Sequence, residues 1–470
     1  MSSIRIIKNI SALAIGEVIT RILSLILIIY IARYLGDTGF GKYSFAFAFT
    51  SLFLVLVDPG INTVVIRDVA REKKLAGKYL GNIIILRSLL SLIAFFFIVV
   101  VINLMGYPDE TKLAVYIVGI YTIMTSFSQL TRSVFRAFEK MEYEALLNIL
   151  ERLIFVSLGI VVLFLGYGLI EVVSVFLIAG AANILLSFFL TARRFAIPKF
   201  EVDQQFLKYL FKEGLPFGVA FIFVTIYIKA DTVILSIMKG DAAVGWYNAA
   251  YQIPLAATLV SAALMESVFP VFSNIYRSSK EALYSAYEKF FQLLSIIVIP
   301  IAIGVTLLSE KIILLLYGKG YENSIIILQI LIWFIIFEFL SYLLYITLAS
   351  INKQRINTIS TGICASLNII LNLILIPQLG IMGSAIAKII TYFTLFVINF
   401  YFISKYLCRI SLFKTMNKAI IAGLAMGLIL FFLRDMHLLI SVTVSGIFYI
   451  FFLFLIKGLT KEDLKLFYNR

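Results

Sequence analysis

Glu17 and Arg21 stand four residues apart inside an apolar run that extends from about residue 10 to residue 33. That spacing puts them on one helix face, a turn apart. A guanidinium can hold two phosphate oxygens at once and keeps its proton when desolvated, so Arg21 could bind a phosphate with Glu17 tuning it. The alternative is a self-neutralised pair that packs one helix against another. Lys229 and Asp231 lie in a second such run. Being two residues apart, they point to different faces. Lys229 could meet the same anion, while Asp231 could bond a neighbouring helix or serve coupling. Asp58-Pro59-Gly60 interrupts a third run. It reads either as a kink, with Asp58 bonding the freed backbone groups, or as a hinge or cation site. Glu266, shortly before Pro270, reads as structural or as a proton carrier. Arg87 and the Glu151-Arg152 pair fall near the inner ends of their runs, where such side chains snorkel. Glu338 and Lys388 are further charges in apolar surroundings, and Asn368 and Asn372 read as interhelical hydrogen bonds.

The elements that position these residues follow from composition. The chain has 470 residues, of which 62% are apolar and only 14% charged, against about a quarter charged in a soluble domain. No polar linkers divide it into soluble cores. Lipid is the solvent that suits it, and a charge at the centre of a bilayer costs roughly 2.5–3.5 kcal/mol, so each buried one needs a reason. Runs long enough to span a bilayer fall at about 10–33, 43–66, 82–104, 113–136, 145–165, 169–192, 215–238, 244–272, 286–308, 323–350, 357–377, 382–404, 416–434 and 438–456. These predict fourteen transmembrane helices in an all-α integral membrane protein. The first run is too long for a cleaved signal sequence and reads as a retained helix.

The net charge of +14 would suggest nucleic acid in a soluble protein, but the basic residues sit in short loops. Alternate loops carry 28 and 7 Lys and Arg, with five more inside helices. This bias predicts a multi-pass cell-membrane protein with both termini cytoplasmic, its basic loops contacting anionic lipids rather than nucleic acid. The stretch from Arg67 to Lys78 reads as a short helix along the inner leaflet. The polar stretch 193–213 reads as a cytoplasmic linker between an N-lobe (1–192) and a C-lobe (214–405), followed by two C-terminal helices and a tail (406–470). Cys364 and Cys408 have no disulfide or metal spacing, and one histidine, His437, supports no histidine-based metal cluster or catalytic triad. No cofactor and no enzymatic activity are expected.

The chain also repeats itself. Gly36, Asp37, Gly41, Tyr43 and Ala46 recur 204 residues later as Gly240, Asp241, Gly245, Tyr247 and Ala250. Six predicted helices separate the copies, so both halves enter the membrane in the same sense. That is a parallel repeat, with a site expected between the halves near mid-membrane.

Arg33-Tyr-Leu-Gly36 … Gly41-Lys-Tyr43-Ser-Phe-Ala46, then Asp58-Pro-Gly60 and Arg67-Asp-Val-Ala-Arg71, resembles the N-lobe signature of polysaccharide-transport (Wzx-type) flippases. Gly214-Leu-Pro216, Lys229-Ala-Asp231 and Val244-Gly-Trp-Tyr247-Asn-Ala-Ala250 resemble the start of their C-lobe, and Asn368 … Asn372 … Ile-Pro377 … Gly380 … Gly383-Ser-Ala385 a later motif. The resemblance runs from about residue 10 to about 390. It implies the multidrug/oligosaccharidyl-lipid/polysaccharide (MOP, MATE-like) exporter fold, with two six-helix bundles around a central cavity lined by helices 1, 2, 7 and 8. It further implies a polyprenyl-phosphate- or pyrophosphate-linked oligosaccharide as substrate, turned from the inner to the outer leaflet. Arg21, Lys229, Glu17 and Asp231 are then candidates for the cavity, and Asp58, Pro59 and Glu266 for coupling or hinge roles. Coupling to H+, to Na+ or to the membrane potential stays open, with a monomer, alone or beside glycan-assembly proteins, as the expected state. The rival reading is a cation-coupled multidrug exporter of the related branch, favoured by the acids Glu17, Asp58 and Asp231 and opposed by Arg21 and Lys229.

Overall fold

A computed structural model describes residues 3–407 and 410–459; of residues 3–15 and of Leu259, Ala263, Glu266 and Ser267 it describes the backbone alone. Every regular element among the described residues is helical. In hydrocarbon each backbone N–H and C=O must be paired within the protein, and a helix does this inside a single segment.

In chain order the helices are α1 (Ser3–Val57), α2 (Ile61–Arg71), α3 (Ala76–Leu104), α4 (Asp109–Ala137), α5 (Met141–Phe164), α6 (Leu169–Arg194), α7 (Gln204–Lys239) and α8 (Asp241–Ser278). They continue as α9 (Lys280–Leu316), α10 (Asn323–Leu331), α11 (Phe334–Ser350), α12 (Gln354–Leu379), α13 (Ile381–Tyr406), α14 (Leu412–Phe432) and α15 (Leu438–Leu455). By length and composition, twelve described segments can cross a membrane. One of them is α1, whose 55 residues would reach roughly 80 Å at 1.5 Å per residue, far beyond one ~30 Å hydrocarbon core. Gly36 breaks it at φ 69°, ψ −178°, so α1 supplies the first two passages. With the 38-residue α8 added, the fourteen expected passages are all present.

Three expectations need correction. The tenth passage is not one helix: it divides at Ile332-Trp333 into α10 and α11. The second passage ends at Val57, and the chain restarts as α2 at Ile61 after Asp58-Pro59-Gly60. The stretch 67–78 is no helix lying along a leaflet either. Its first part closes α2, Lys73–Leu75 form a single 3-10 turn, and α3 has begun by Ala76. Ile61, Val64, Val65 and Val69 recur at helical spacing and bury α2 against Leu80, Leu130, Val134 and Leu210, so its apolar face is spent on protein.

The chain forms two compact units that divide between Asn248 and Ala249. In the first, α1 packs on α4, α5 and α7, α4 on α6, and α2 on α4 and α7. Tyr43, Phe47, Tyr121, Phe155 and Phe176 form an aromatic cluster there, with ring centroids 4.3–6.2 Å apart. In the second, α9 packs on α10, α11 and α14, α13 packs on α11 and α12, and α14 packs on α15.

The repeat is visible as geometry. A Cβ on Gly41 would run into the Asp241 carbonyl, and a Cβ on Gly245 would run into the Asp37 carbonyl. The two copies touch reciprocally, each glycine against the other copy's aspartate backbone. Only glycine permits an approach this close.

Candidate functional site in the first unit

Arg21 projects from α1 with its Nε donating to Glu17 Oε1 at 2.6 Å. The pair is far from buried: the side chains are 41% and 53% exposed. Among the described residues this is the guanidinium's one hydrogen bond, so both terminal nitrogens remain available. They are the fork that matches a phosphate or carboxylate. The structure shows the Arg21–Glu17 pair formed, with no further partner for the guanidinium among the described residues.

Lys229, half-buried on α7, shares the unit with Arg21. Asp231, two residues on, is 1% exposed and accepts from the Tyr247 hydroxyl of α8 at 2.5 Å and from the Thr232 N–H at 3.0 Å. It ties α7 to α8. Asn248 continues the seam one residue along α8, donating to Thr232 Oγ1 at 3.4 Å.

Asp58 takes up the backbone freed by the break before α2. Its Oδ1 accepts from the Ile61 N–H at 2.9 Å, and its Oδ2 from the Asn62 side chain. Arg87 of α3 lies 3.4 Å from the same carboxylate and is 1% exposed. Its terminal nitrogens donate to Asn62 Oδ1 at 3.1 Å and to the Ser126 carbonyl of α4, leaving only Nε without a partner. Snorkelling is thus the wrong account of Arg87, which is held inside by a carboxylate 29 residues upstream. Glu151 is also held inside, by Arg132 at 3.1 Å, Tyr121 at 3.3 Å and the Asn183 amide. Neighbouring Arg152 lies over the Phe155 ring at 5.3 Å. Gly60, at φ 85°, lets the broken segment lie against α7, where a Cβ would strike Gly218 N and Phe217 Cβ.

Beyond the break, Arg67, Asp68, Tyr79, Tyr209 and Glu213 join α2, α3 and α7. Arg67 reaches Glu213 at 2.9 Å and Asp68 at 2.8 Å, while both tyrosine hydroxyls donate to Asp68 Oδ2. Burial pushes the Asp68 carboxyl up, but hydrogen bonds from Arg67, Tyr209 and Tyr79 outweigh it and hold it below its ordinary value. Lys78 likewise lowers Asp203, with help from the Phe206 N–H. Sequence reasoning missed Asn62, Tyr209 and Glu213, which meet Arg87, Asp68 and Arg67 from distant segments.

In the second unit, Lys388 is fully buried, with its ammonium 4.7 Å from the centroid of the Tyr251 ring. Glu338 accepts from Ser261 at 3.3 Å. Ser384 donates to Asn372 Oδ1 at 2.8 Å, the expected bond between α12 and α13. The side chain of Glu266 and all of Cys408 fall outside the described residues. No group of three or more His, Cys, Asp or Glu that could hold a metal occurs among the described residues.

Residues 6–276, more than half of the chain, match the polysaccharide biosynthesis protein family. The chain belongs to that family. Residues 216–374 also match the MatE family. The probable low-salt glycan biosynthesis flippase Agl15 of Haloferax volcanii is 24% identical over 413 residues, covering 86% of this chain and 84% of that one. A putative O-antigen transporter of Shigella flexneri is 24% identical over 396 residues, covering 81% and 94%. Among solved structures, the lipid II flippase MurJ in an inward closed conformation superposes with a TM-score of 0.80 at 18% identity, covering 94% of this chain and 97% of that one. An inward-facing multidrug MATE transporter of the MOP superfamily gives 0.66 at 16% identity, covering 82% and 93%. The fold of this polysaccharide biosynthesis family member is that of the MOP exporters.

Proposed function

We propose that this chain is a flippase that turns a polyprenyl-(pyro)phosphate-linked oligosaccharide from the inner to the outer leaflet for surface glycan assembly. The observation that carries the reading is a near-full-length relationship to a glycan flippase, in a chain whose first helix presents an arginine with its fork unused. The glycan head cannot cross hydrocarbon unaided, because each unpaired hydroxyl costs several kcal/mol there. An alternating-access cavity to which α1 and α7 contribute would hold the phosphate on Arg21, with Lys229 as a second cation. Glu17 would fix the Nε end of Arg21, and Asp231 would keep α7 on α8. An inside-negative potential would favour outward movement of the anion by ~2.3 kcal/mol per charge per 100 mV. The chain works as a monomer in the cell membrane with both termini in the cytoplasm, its lobes spanning 1–192 and 214–405 about the linker 193–213, with residues 406–470 as a C-terminal addition. Asp58, Pro59 and Glu266 would serve hinge motion or coupling.

The MatE match keeps a multidrug exporter as the second reading. Cationic drugs need free acids, yet Asp231 is engaged by Tyr247 and Asp58 by Arg87. Proteoliposomes carrying a fluorescent lipid-linked glycan test the proposal. Flipping by the wild type and its loss in Arg21→Ala support it, whereas drug efflux without flipping overturns it.

A further inference from the structure

The chain between α6 and α7 is strapped to α3 by its backbone. A Cβ on Gly77 would run into the Ile197 carbonyl oxygen, and one on Gly81 into that of Lys199. The Lys199 N–H donates to the Gly77 carbonyl at 2.9 Å, and the Asp203 N–H to Asn82 Oδ1 at 3.1 Å. Lys78 pairs with Asp203 at 2.8 Å and lies 4.8 Å from the centroid of the Phe206 ring. Upstream, Phe195 sets its ring against Phe135, Phe138 and Tyr143, with centroids 5.2–5.6 Å apart. Asn82 is fully buried, so lifting the strap would strip a buried amide oxygen of its donor.

Farther along α7 the ties are of another kind, made by side chains alone. Arg67 donates to Glu213 at 2.9 Å and to the Tyr209 hydroxyl at 3.0 Å, and Tyr209 donates to Asp68 at 2.8 Å. Arg67 and Glu213 are 34% and 38% exposed, and an ion pair so open to water is cheaply broken. Its loss would orphan nothing. Asp68 keeps Arg67 at 2.8 Å and the Tyr79 hydroxyl at 2.9 Å, both supplied by α2 and α3. Glu213 and Tyr209 would pass to water. Next along α7, Gly214 and Gly218 meet Pro59 and Gly60 in a seam of bare backbone packing.

We propose that α7 pivots on the strap and that Arg67, Asp68, Tyr209 and Glu213 form a latch, closed here, whose opening admits the headgroup from the cytoplasm. Asp203 caps α7, and Glu213 stands ten residues along it. Ten residues of helix reach about 15 Å, so a tilt of about 20° carries the far end by about 5 Å. That parts a 2.9 Å contact and leaves the pivot seated. Gly240, at the end of α7, repeats Gly36, so α7 is the second copy's counterpart of the first passage in α1. The latch thus fastens one copy to the other. Transport on the reading proposed above, on which this inference rests, needs the two to part.

The test uses the full chain in proteoliposomes, with Cys364 and Cys408 replaced by serine and a reducible bis-methanethiosulfonate as cross-linker. Each cysteine pair is compared with itself before cross-linking and after reduction. Bridging Arg67→Cys to Glu213→Cys should slow flipping of a fluorescent lipid-linked glycan tenfold or more, and reduction should restore it. Bridging Lys78→Cys to Asp203→Cys across the strap should change the rate less than twofold. A second readout needs no transport. Nitroxides on Lys74→Cys and Lys212→Cys, both exposed, should show one main distance by pulsed electron resonance. Glu213→Gln with Tyr209→Phe should raise the share of a longer distance severalfold. If a cross-linking pair fails to fold, as a thermal melt would reveal, the nitroxide distances decide. Flipping that survives a bridged latch, or distances that the latch variants leave unaltered, would overturn the latch. Flipping stopped by the bridged strap would overturn the pivot. Distances that respond in a protein that flips no glycan would sink the transport reading and leave the latch standing.

Discussion

Two arginine–carboxylate pairs in the first unit are built in opposite ways. Arg21 uses Nε on Glu17 and leaves its terminal nitrogens unengaged, at 41% exposure. Arg87 uses both terminal nitrogens, on Asn62 and Ser126, with the Asp58 carboxylate 3.4 Å away, and is 1% exposed. The difference separates the arginine proposed to bind from the one that builds. A charge taken out of water needs compensation on nearly every side, and the protein supplies it around Arg87. Around Arg21 one side is supplied and the fork is left for something else.

The largest effect should come from breaking the buried pair. Arg87→Ala leaves Asp58 without its cation and should cost about 3–5 kcal/mol, read as a loss of membrane-inserted protein and a lowered melting temperature in detergent. The same change at Arg21 should leave the melt nearly unaltered and abolish glycan-lipid export. If both variants lose protein equally, the distinction between the pairs fails.

Arg21→Lys sharpens the contrast next. The charge remains but the fork does not, so export should fall while insertion holds. A double variant, Glu17→Gln with Arg21→Gln, asks whether neutralising Glu17 is all that Arg21 does. Export restored by the double variant relative to Arg21→Gln would remove the phosphate role.

A smaller effect is expected where a neutral group meets a buried acid. Tyr247→Phe removes the donor to Asp231 and should cost about 1.5–3 kcal/mol in thermal or denaturant melts.

The smallest effect lies in the polar stretches around Asp68 and Asp203. Asp68 and Asp203 both titrate below their ordinary values. Each therefore contributes stability that is whole above an unfolded carboxylate pKa of about 3.9 and is lost as pH falls through the lower folded value. Hydrogen exchange across 67–81 should be level from pH 8 to pH 5, after correction for intrinsic rates, and should loosen only below about pH 4.

The passages and the repeat were legible because they depend on local runs and on a fixed offset. The break at Gly36 falls where the sequence separates the first two runs, but that a single left-handed residue makes the turn inside an otherwise continuous helix leaves no mark in hydropathy. The surroundings of the charges were hidden for another reason. Arg87 looks like a snorkelling residue until Asp58, Asn62 and Ser126 are brought to it from three other segments. Arg21 was readable as a pair with Glu17 because both lie on one turn, but its free fork is a fact of three dimensions.

The reciprocal contact of Gly41 with Asp241 and Gly245 with Asp37 has the form of an isologous interface, one patch meeting its own copy. A half-length chain bearing a single copy would already carry the surface needed to pair with itself. Fusion of two such chains would then make permanent an association of that form.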